Sequence, residues 1–169
     1  MPDTVYLLLG SNLGDRERNL ESARDQLANI EGLETTATSA IYVSEAREMV
    51  GENPSFMNQV IKGDYQYSGH ELLHVLEQIE LRLGRTAKGE MKPRTIDCDI
   101  LLIGDKIIDT PTLKIPHPRL TQRPFALVPL LEIDPQLIHP VTRRRLAEYL
   151  SARDRAGVML FKDHVARNL

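Results

Sequence analysis

One cysteine, no tryptophan, three phenylalanines and no long apolar run set the outer limits for this 169-residue chain. The lone Cys98 excludes an intrachain disulfide and a multi-cysteine metal site, and it suits a reducing cytoplasm. The longest apolar stretches, such as Val5 to Leu9, are far too short to cross a bilayer, so no membrane span is expected. Asp3 and the polar stretch after Gly10 do not fit a secretory leader. A basic block is also missing. The net charge of −3 argues against a dedicated nucleic-acid binder, while leaving room for a local phosphate site. Bias toward disorder is absent too: with 41% hydrophobic and 27% charged residues, residues 1–169 can bury the core of one domain.

What is present is a run of strand and helix signals. Val5 to Leu9 predicts a central strand ended by Gly10. Asn12 or Asp15 can cap a helix with Leu20, Ala23, Leu27 and Ile30 on one face and Gly32 as its stop. Residues 36–44 and 56–65 predict two further strands. Ser68 with Glu71 forms a capping box, opening a helix whose stripe is Leu72, Leu76, Ile79 and Leu83 before Gly84. A strand follows, running to Ile103, and Gly104-Asp105 predicts a tight turn into Lys106-Ile107-Ile108. After Pro116 the prolines cut the chain into short helical pieces. Two irregular stretches, 45–55 and 84–93, have the length and composition of functional loops. The order implies an α+β fold, a ferredoxin-like sandwich with helices on one face of a mainly antiparallel sheet.

The segment Pro93-Arg94-Thr95-Ile96-Asp97-Cys98-Asp99-Ile100-Leu101-Leu102 carries the most chemistry. In a strand, residues i and i+2 share a face, so Asp97 and Asp99 stand side by side while Cys98, Ile100 and Leu102 turn to the core. Two such carboxylates repel unless a cation lies between them, and oxygen ligands of this kind suit Mg²⁺ held jointly with substrate phosphates. The same pair also reads as a solvent-facing strand edge with Arg94 as an ion-pair partner. Arg85, Lys88, Arg94, Lys114, His117, Arg119 and Arg123 crowd around it in sequence, as a metal–polyphosphate site requires; singly, each reads as a solvated charge. Phe56 and Phe125 flank polar loops, where an aromatic face can stack on a flat heterocycle or simply pack in the core. Asn58 shares the Phe56 strand face and offers an amide to a heterocycle edge or caps a loop. The Gly10 to Asp15 segment reads mainly as a turn and helix cap, being neither a dinucleotide nor a Walker motif. His70 and His74 read as surface residues.

Taken in order, Gly10 to Asp15, Phe56-Met57-Asn58, Glu80 to Arg85, Pro93 to Leu102, Ile115 to Leu120 and Arg123-Pro124-Phe125 resemble the motifs of the 6-hydroxymethyl-7,8-dihydropterin pyrophosphokinase family. The resemblance covers residues 4–135. It implies transfer of the terminal pyrophosphoryl group of ATP to the pterin hydroxymethyl, in folate biosynthesis. It implies that Asp97 and Asp99 hold two Mg²⁺ ions and that Phe56 and Phe125 sandwich the pterin while Asn58 reads its edge. Arg85, Arg94, His117 and Arg123 match catalytic positions that contact phosphates or place loops. Lys88, Ile100 and Lys114 match nucleotide-binding positions, Ile100 through its backbone. The two irregular loops match lids, here with Ser44-Glu45-Ala46-Arg47-Glu48 in place of a Thr-Pro element and Met91-Lys92 in place of a Trp-containing segment. A cytoplasmic monomer is expected. Two other readings remain: a plain kinase yielding ADP, and a non-catalytic module holding a nucleotide or single-stranded nucleic acid on Phe56 and Phe125.

Overall fold

A computed structural model describes residues 1–44, 55–84 and 95–163. Arg85, Lys88 and Arg94 lie outside the described residues, as does most of both irregular stretches. The chain order is β1 (Asp3–Ser11), α1 (Arg16–Ala28), β2 (Leu33–Thr38), β3 (Ile41–Ser44), β4 (Phe56–Tyr65), α2 (Gly69–Arg82) and β5 (Asp97–Ile103). Then come β6 (Ile108–Asp109), β7 (Lys114–Ile115), α3 (Pro124–Ile133), α4 (Ala152–Ala156) and β8 (Met159–Lys162), with 3₁₀ turns at Leu120–Gln122 and Leu146–Tyr149. The main sheet runs β5-β1-β4-β3-β8, with β2 also on β4, and every pairing in it is antiparallel. With β2 and β3 taken as one broken strand, this is the expected ferredoxin-like arrangement.

The helix signals act as read, except that α1 ends at Ala28, short of Ile30, and α2 at Arg82, short of Leu83. Asp15 caps α1 by accepting the Arg18 N–H at 3.1 Å, and Leu20, Ala23 and Leu27 are buried. Ser68 and Glu71 form the capping box of α2, whose Leu72, Leu76 and Ile79 are fully buried. Both helices cover one sheet face, against Val5, Leu7, Leu9, Met57, Ile61, Cys98 and Ile100. Full burial of each large aliphatic side chain in this layer contributes about 1.5–3 kcal/mol.

A second layer lies on the opposite face, where α3 packs Ala126, Leu127 and Leu130 on Tyr6, Leu8, Val60, Leu101 and Leu102. The Tyr6 hydroxyl donates to Asp134 just past α3, and Lys62 Nζ meets the same carboxylate at 2.8 Å. Glu132 accepts the Ala40 N–H at 3.1 and 3.2 Å and pairs with the Tyr42 hydroxyl at 2.6 Å. These contacts fix the last turn of α3 against the sheet.

Two expectations change. The strand read at 36–44 starts at Leu33 and breaks at Ser39-Ala40. There Ser39 Oγ accepts the Val60 N–H at 2.9 Å, and the Ala40 N–H goes to Glu132 rather than to a strand. Leu102 does not face the same way as Cys98 and Ile100. The β1–β5 register slips between Tyr6 and Leu7, opposite Leu101, so Leu101 and Leu102 both pack in the α3 layer and Ile103 returns to the other. The tight turn read at Gly104-Asp105 is present, with the Lys106 N–H donating to the Ile103 carbonyl at 2.9 Å, and beyond it β6 pairs with β7 in a separate two-stranded sheet.

Candidate active site

The residues with the strongest chemistry meet on the α3 face, at one end of strands β5, β1 and β4. Gly10 on β1 pairs with Asp97 on β5 and with Asn58 on β4, so Asp97, Gly10 and Asn58 form one row across the sheet. Adjacent strands lie about 4.8 Å apart, which puts the outer two positions roughly 10 Å from each other. Asp99 is two residues along β5, about 7 Å further, opposite Leu8. Both aspartates are half-buried on the face that Asn58 shares, while Cys98 between them is buried on the other. The side-by-side placement read from the alternation therefore holds.

The other groups arrive from the elements around this row. Phe56 precedes Asn58 on the same β4 face, and a Cβ on Gly10 would lie 3.6 Å from its ring and 2.9 Å from Asn58 Oδ1. Phe125 is in the first turn of α3 and packs at the margin of the second core layer, on that face as well. Arg123, which precedes α3, places Nη1 3.6 Å from Asp99 Oδ2 and its guanidinium 5.4 Å from the centre of the Phe125 ring. Its Nε is buried with no hydrogen-bond partner among the described residues. A buried guanidinium donor without a partner is a group for which an anionic acceptor is the natural complement.

A cleft of about 260 Å³ opens at the outer edge of β5 and is lined by Leu73, Cys98, Asp99, Ile100, Lys114 and His117, among others. It gathers four of the residues read as nucleotide-contacting or metal-holding. Cys98 turns its N–H outward, and strand alternation turns the backbone of Ile100 toward the same edge. His117 is tethered to β5, its N–H donating to the Leu101 carbonyl at 3.0 Å. Its Nδ1 accepts the Arg119 N–H at 3.1 Å, which leaves Nε2 as the donor of the neutral ring. Lys114 is exposed at the cleft and paired with Asp109 at 2.5 Å; that contact holds the Asp109 carboxyl below its usual range. Arg119 is exposed. His70 and His74 are exposed on α2, as read.

Sequence reasoning missed two supports. Glu80 of α2, only 2% exposed, accepts the Cys98 N–H at 2.8 Å and so grips β5 between the two aspartates. A buried acidic residue at a core position of an amphipathic stripe was the available signal. Gly10 was read as the end of the strand and the start of a turn, yet β1 runs through it to Ser11, and it clears space beside Asn58 and Phe56. Arg16 adds a third contact, donating to the Ser55 carbonyl at 2.7 Å just before Phe56.

Among the described residues, no helix is long and apolar enough to cross a membrane. The family model for 7,8-dihydro-6-hydroxymethylpterin-pyrophosphokinase matches residues 6–135. The 2-amino-4-hydroxy-6-hydroxymethyldihydropteridine pyrophosphokinase of Aquifex aeolicus is 42% identical over 146 residues, covering 86% of this chain and 89% of that protein. The protein of the same name from Pseudomonas aeruginosa is 35% identical, covering 94% of this chain and 96% of its own. Among solved structures, a Plasmodium falciparum HPPK-DHPS chain superposes with a TM-score of 0.67 at 16% identity. That match covers 88% of this chain and 42% of the longer one, and it speaks to the fold alone. On the family match and these identities, the chain belongs to the 7,8-dihydro-6-hydroxymethylpterin-pyrophosphokinase family.

Proposed function

We propose that this chain transfers the pyrophosphoryl group of ATP to the hydroxymethyl oxygen of 6-hydroxymethyl-7,8-dihydropterin, releasing AMP and forming the pterin diphosphate for folate biosynthesis. The observation that carries this reading is the row of Asp97, Gly10 and Asn58, which sets a carboxylate pair and a heterocycle-reading amide on one sheet face. The ring lies by Asn58, flanked by Phe56 and Phe125, with its hydroxymethyl directed toward the aspartates. The triphosphate enters from the β5 cleft, with the base at Ile100 and Leu73 and the phosphates running past His117 toward Arg123 beside Asp99. The hydroxymethyl oxygen attacks the β-phosphorus, the bond from it to the α-phosphate oxygen breaks, and the hydroxyl proton is lost to solvent.

Asp97 and Asp99 fit a divalent cation in their donor chemistry: two hard carboxylates on one face, to be completed by phosphate oxygens. Two Mg²⁺ ions held there would neutralise charge on the triphosphate and acidify the acceptor hydroxyl. Arg123 is held between Asp99 and Phe125, so its guanidinium can take negative charge developing on the phosphate oxygens. Arg85, Arg94 and Lys88 keep, in this reading, the phosphate and nucleotide roles their motif positions imply. Every residue invoked lies on one chain, which suits a monomer, and the free Cys98 suits the cytoplasm.

The test is replacement of either aspartate by asparagine. Asp97→Asn and Asp99→Asn should each cut turnover about a thousandfold or more, with thermal unfolding close to that of the parent. Activity near the parent level in either variant would remove the metal assignment.

A further inference from the structure

We propose that Arg16, in the first turn of α1, is a positioning residue that aims the Phe56 ring from the opposite side of the sheet. The assignment rests on the pterin reading of the site given above, in which Phe56 flanks the substrate ring. Arg16 Nη1 donates to the Ser55 carbonyl at 2.7 Å, the short range of a charge-assisted bond. The peptide unit is planar, so holding that carbonyl also fixes the Phe56 nitrogen and Cα. The direction in which the ring leaves the strand is set with them.

Phe56 depends on this hold because it starts β4, where the ladder runs out on one side. β1 pairs with β4 only as far as Ser11 and Met57, one residue short of Phe56. On the other side Phe56 pairs with Ser44, the last residue of β3, whose hydroxyl is hydrogen-bonded to the Asn58 amide at 3.0 Å. Strand pairing thus carries the β3 side of Phe56, and Arg16 holds the chain from the helix layer. The helix is itself anchored at this point. Asp15 caps it, and Leu20 is fully buried beneath it. Asn19 shares a helix face with Arg16 by its i+3 spacing, and donates to the Leu13 carbonyl at 2.8 Å and to Ser11 Oγ at 3.1 Å. One helix turn therefore ties the exit of β1 to the entry of β4, the two strands that carry Gly10, Phe56 and Asn58. Arg16 acts through the backbone and calls for no contact with substrate.

Two substitutions and a double-mutant cycle test this. Arg16→Met keeps a long stem and the helix propensity but removes the donor. It should raise the Kd for the dihydropterin about tenfold, read by calorimetry with Mg²⁺ and a non-hydrolysable ATP analogue. KM for the dihydropterin should follow, with kcat within about twofold and KM for ATP unchanged, as expected when uniform binding is lost. Arg16→Lys retains a cationic donor and should stay within about threefold of the parent. Phe56→Leu removes the aromatic face, so in that background Arg16→Met should change the Kd by less than about twofold. A parental Kd in Arg16→Met, an equal loss in Arg16→Lys, or a full Arg16→Met loss that persists beside Phe56→Leu overturns the assignment. A parent protein that does not bind the dihydropterin at all overturns the substrate reading, and this assignment with it. A parent that binds beside an indifferent Arg16→Met overturns the assignment alone.

Discussion

Replacing Glu80 by leucine should weaken both the fold and the reaction, because one buried hydrogen bond serves both. The Glu80 carboxylate accepts the Cys98 N–H at 2.8 Å on the outer edge of β5, and the pair is buried. A hydrogen bond to a charged group contributes about 1.5–3 kcal/mol, and a buried N–H left without an acceptor costs about 1–3 kcal/mol. Removing a buried charge returns part of this. For this one bond the net loss should be about 2–3 kcal/mol, or about 4–12 °C in Tm for a chain of this size. Cys98 stands between Asp97 and Asp99, so a slackened strand edge displaces both carboxylates; a misplacement of about 1 Å can cost roughly a hundredfold in rate. Thermal unfolding and steady-state turnover read the two effects on one sample. Glu80→Gln keeps an acceptor and should lose less than half as much. A leucine variant melting within about 1 °C of the parent, with unchanged kcat, would refute the reasoning.

The remaining predictions concern stability against pH. Burial pushes the Asp134 carboxyl up, but hydrogen bonds from Lys62 and Tyr6 outweigh it and hold the group below 3.8. The native state then binds fewer protons than the unfolded one, so this stability is present above about pH 4 and is lost as pH falls through the native value. Tyr6→Phe should cost about 1–2 kcal/mol at pH 7 and shrink the loss between pH 5 and 3 seen in chemical denaturation. Turnover should hold, since Tyr6 is four strand residues, about 13 Å, from Gly10. His139 Nδ1 accepts the N–H groups of Val141 and Thr142 at 3.1 and 3.2 Å, and burial lowers its pKa from 6.5. Here too the unfolded state binds the proton more readily, so stability should decline as pH drops from about 6.5 toward the native value. His139→Asn retains an acceptor and cannot titrate, so its denaturation midpoint should lack that decline; an identical decline would exclude His139 as its source.

The local signals in the sequence were read where neighbours in the chain decide the outcome. The two helix caps at Asp15 and Ser68, the stripe of Leu72, Leu76 and Ile79, and the alternation that pairs Asp97 with Asp99 are of this kind. The misreadings arise where a distant group decides. Glu132, some 90 residues away, takes the Ala40 N–H and splits the second strand. The register slip opposite Leu101 depends on β1, and it reverses the face of Leu102. β8, with all four residues exposed, carries no burial pattern to announce it. Within the candidate site, the shared face of Asp97 and Asp99 and that of Phe56 and Asn58 were legible because strand alternation decides them. Glu80, Ser44 and Gly10 were not, because their partners Cys98 and Asn58 are visible only once β5, β1, β4 and β3 lie side by side.

The most direct measurement is the nucleotide product formed from ATP, Mg²⁺ and 6-hydroxymethyl-7,8-dihydropterin. AMP in one-to-one ratio with pterin diphosphate, and only when the pterin is present, is the predicted result. ADP as the product would mean transfer of the γ-phosphoryl group alone and would contradict the account, as would ATP turnover indifferent to the pterin.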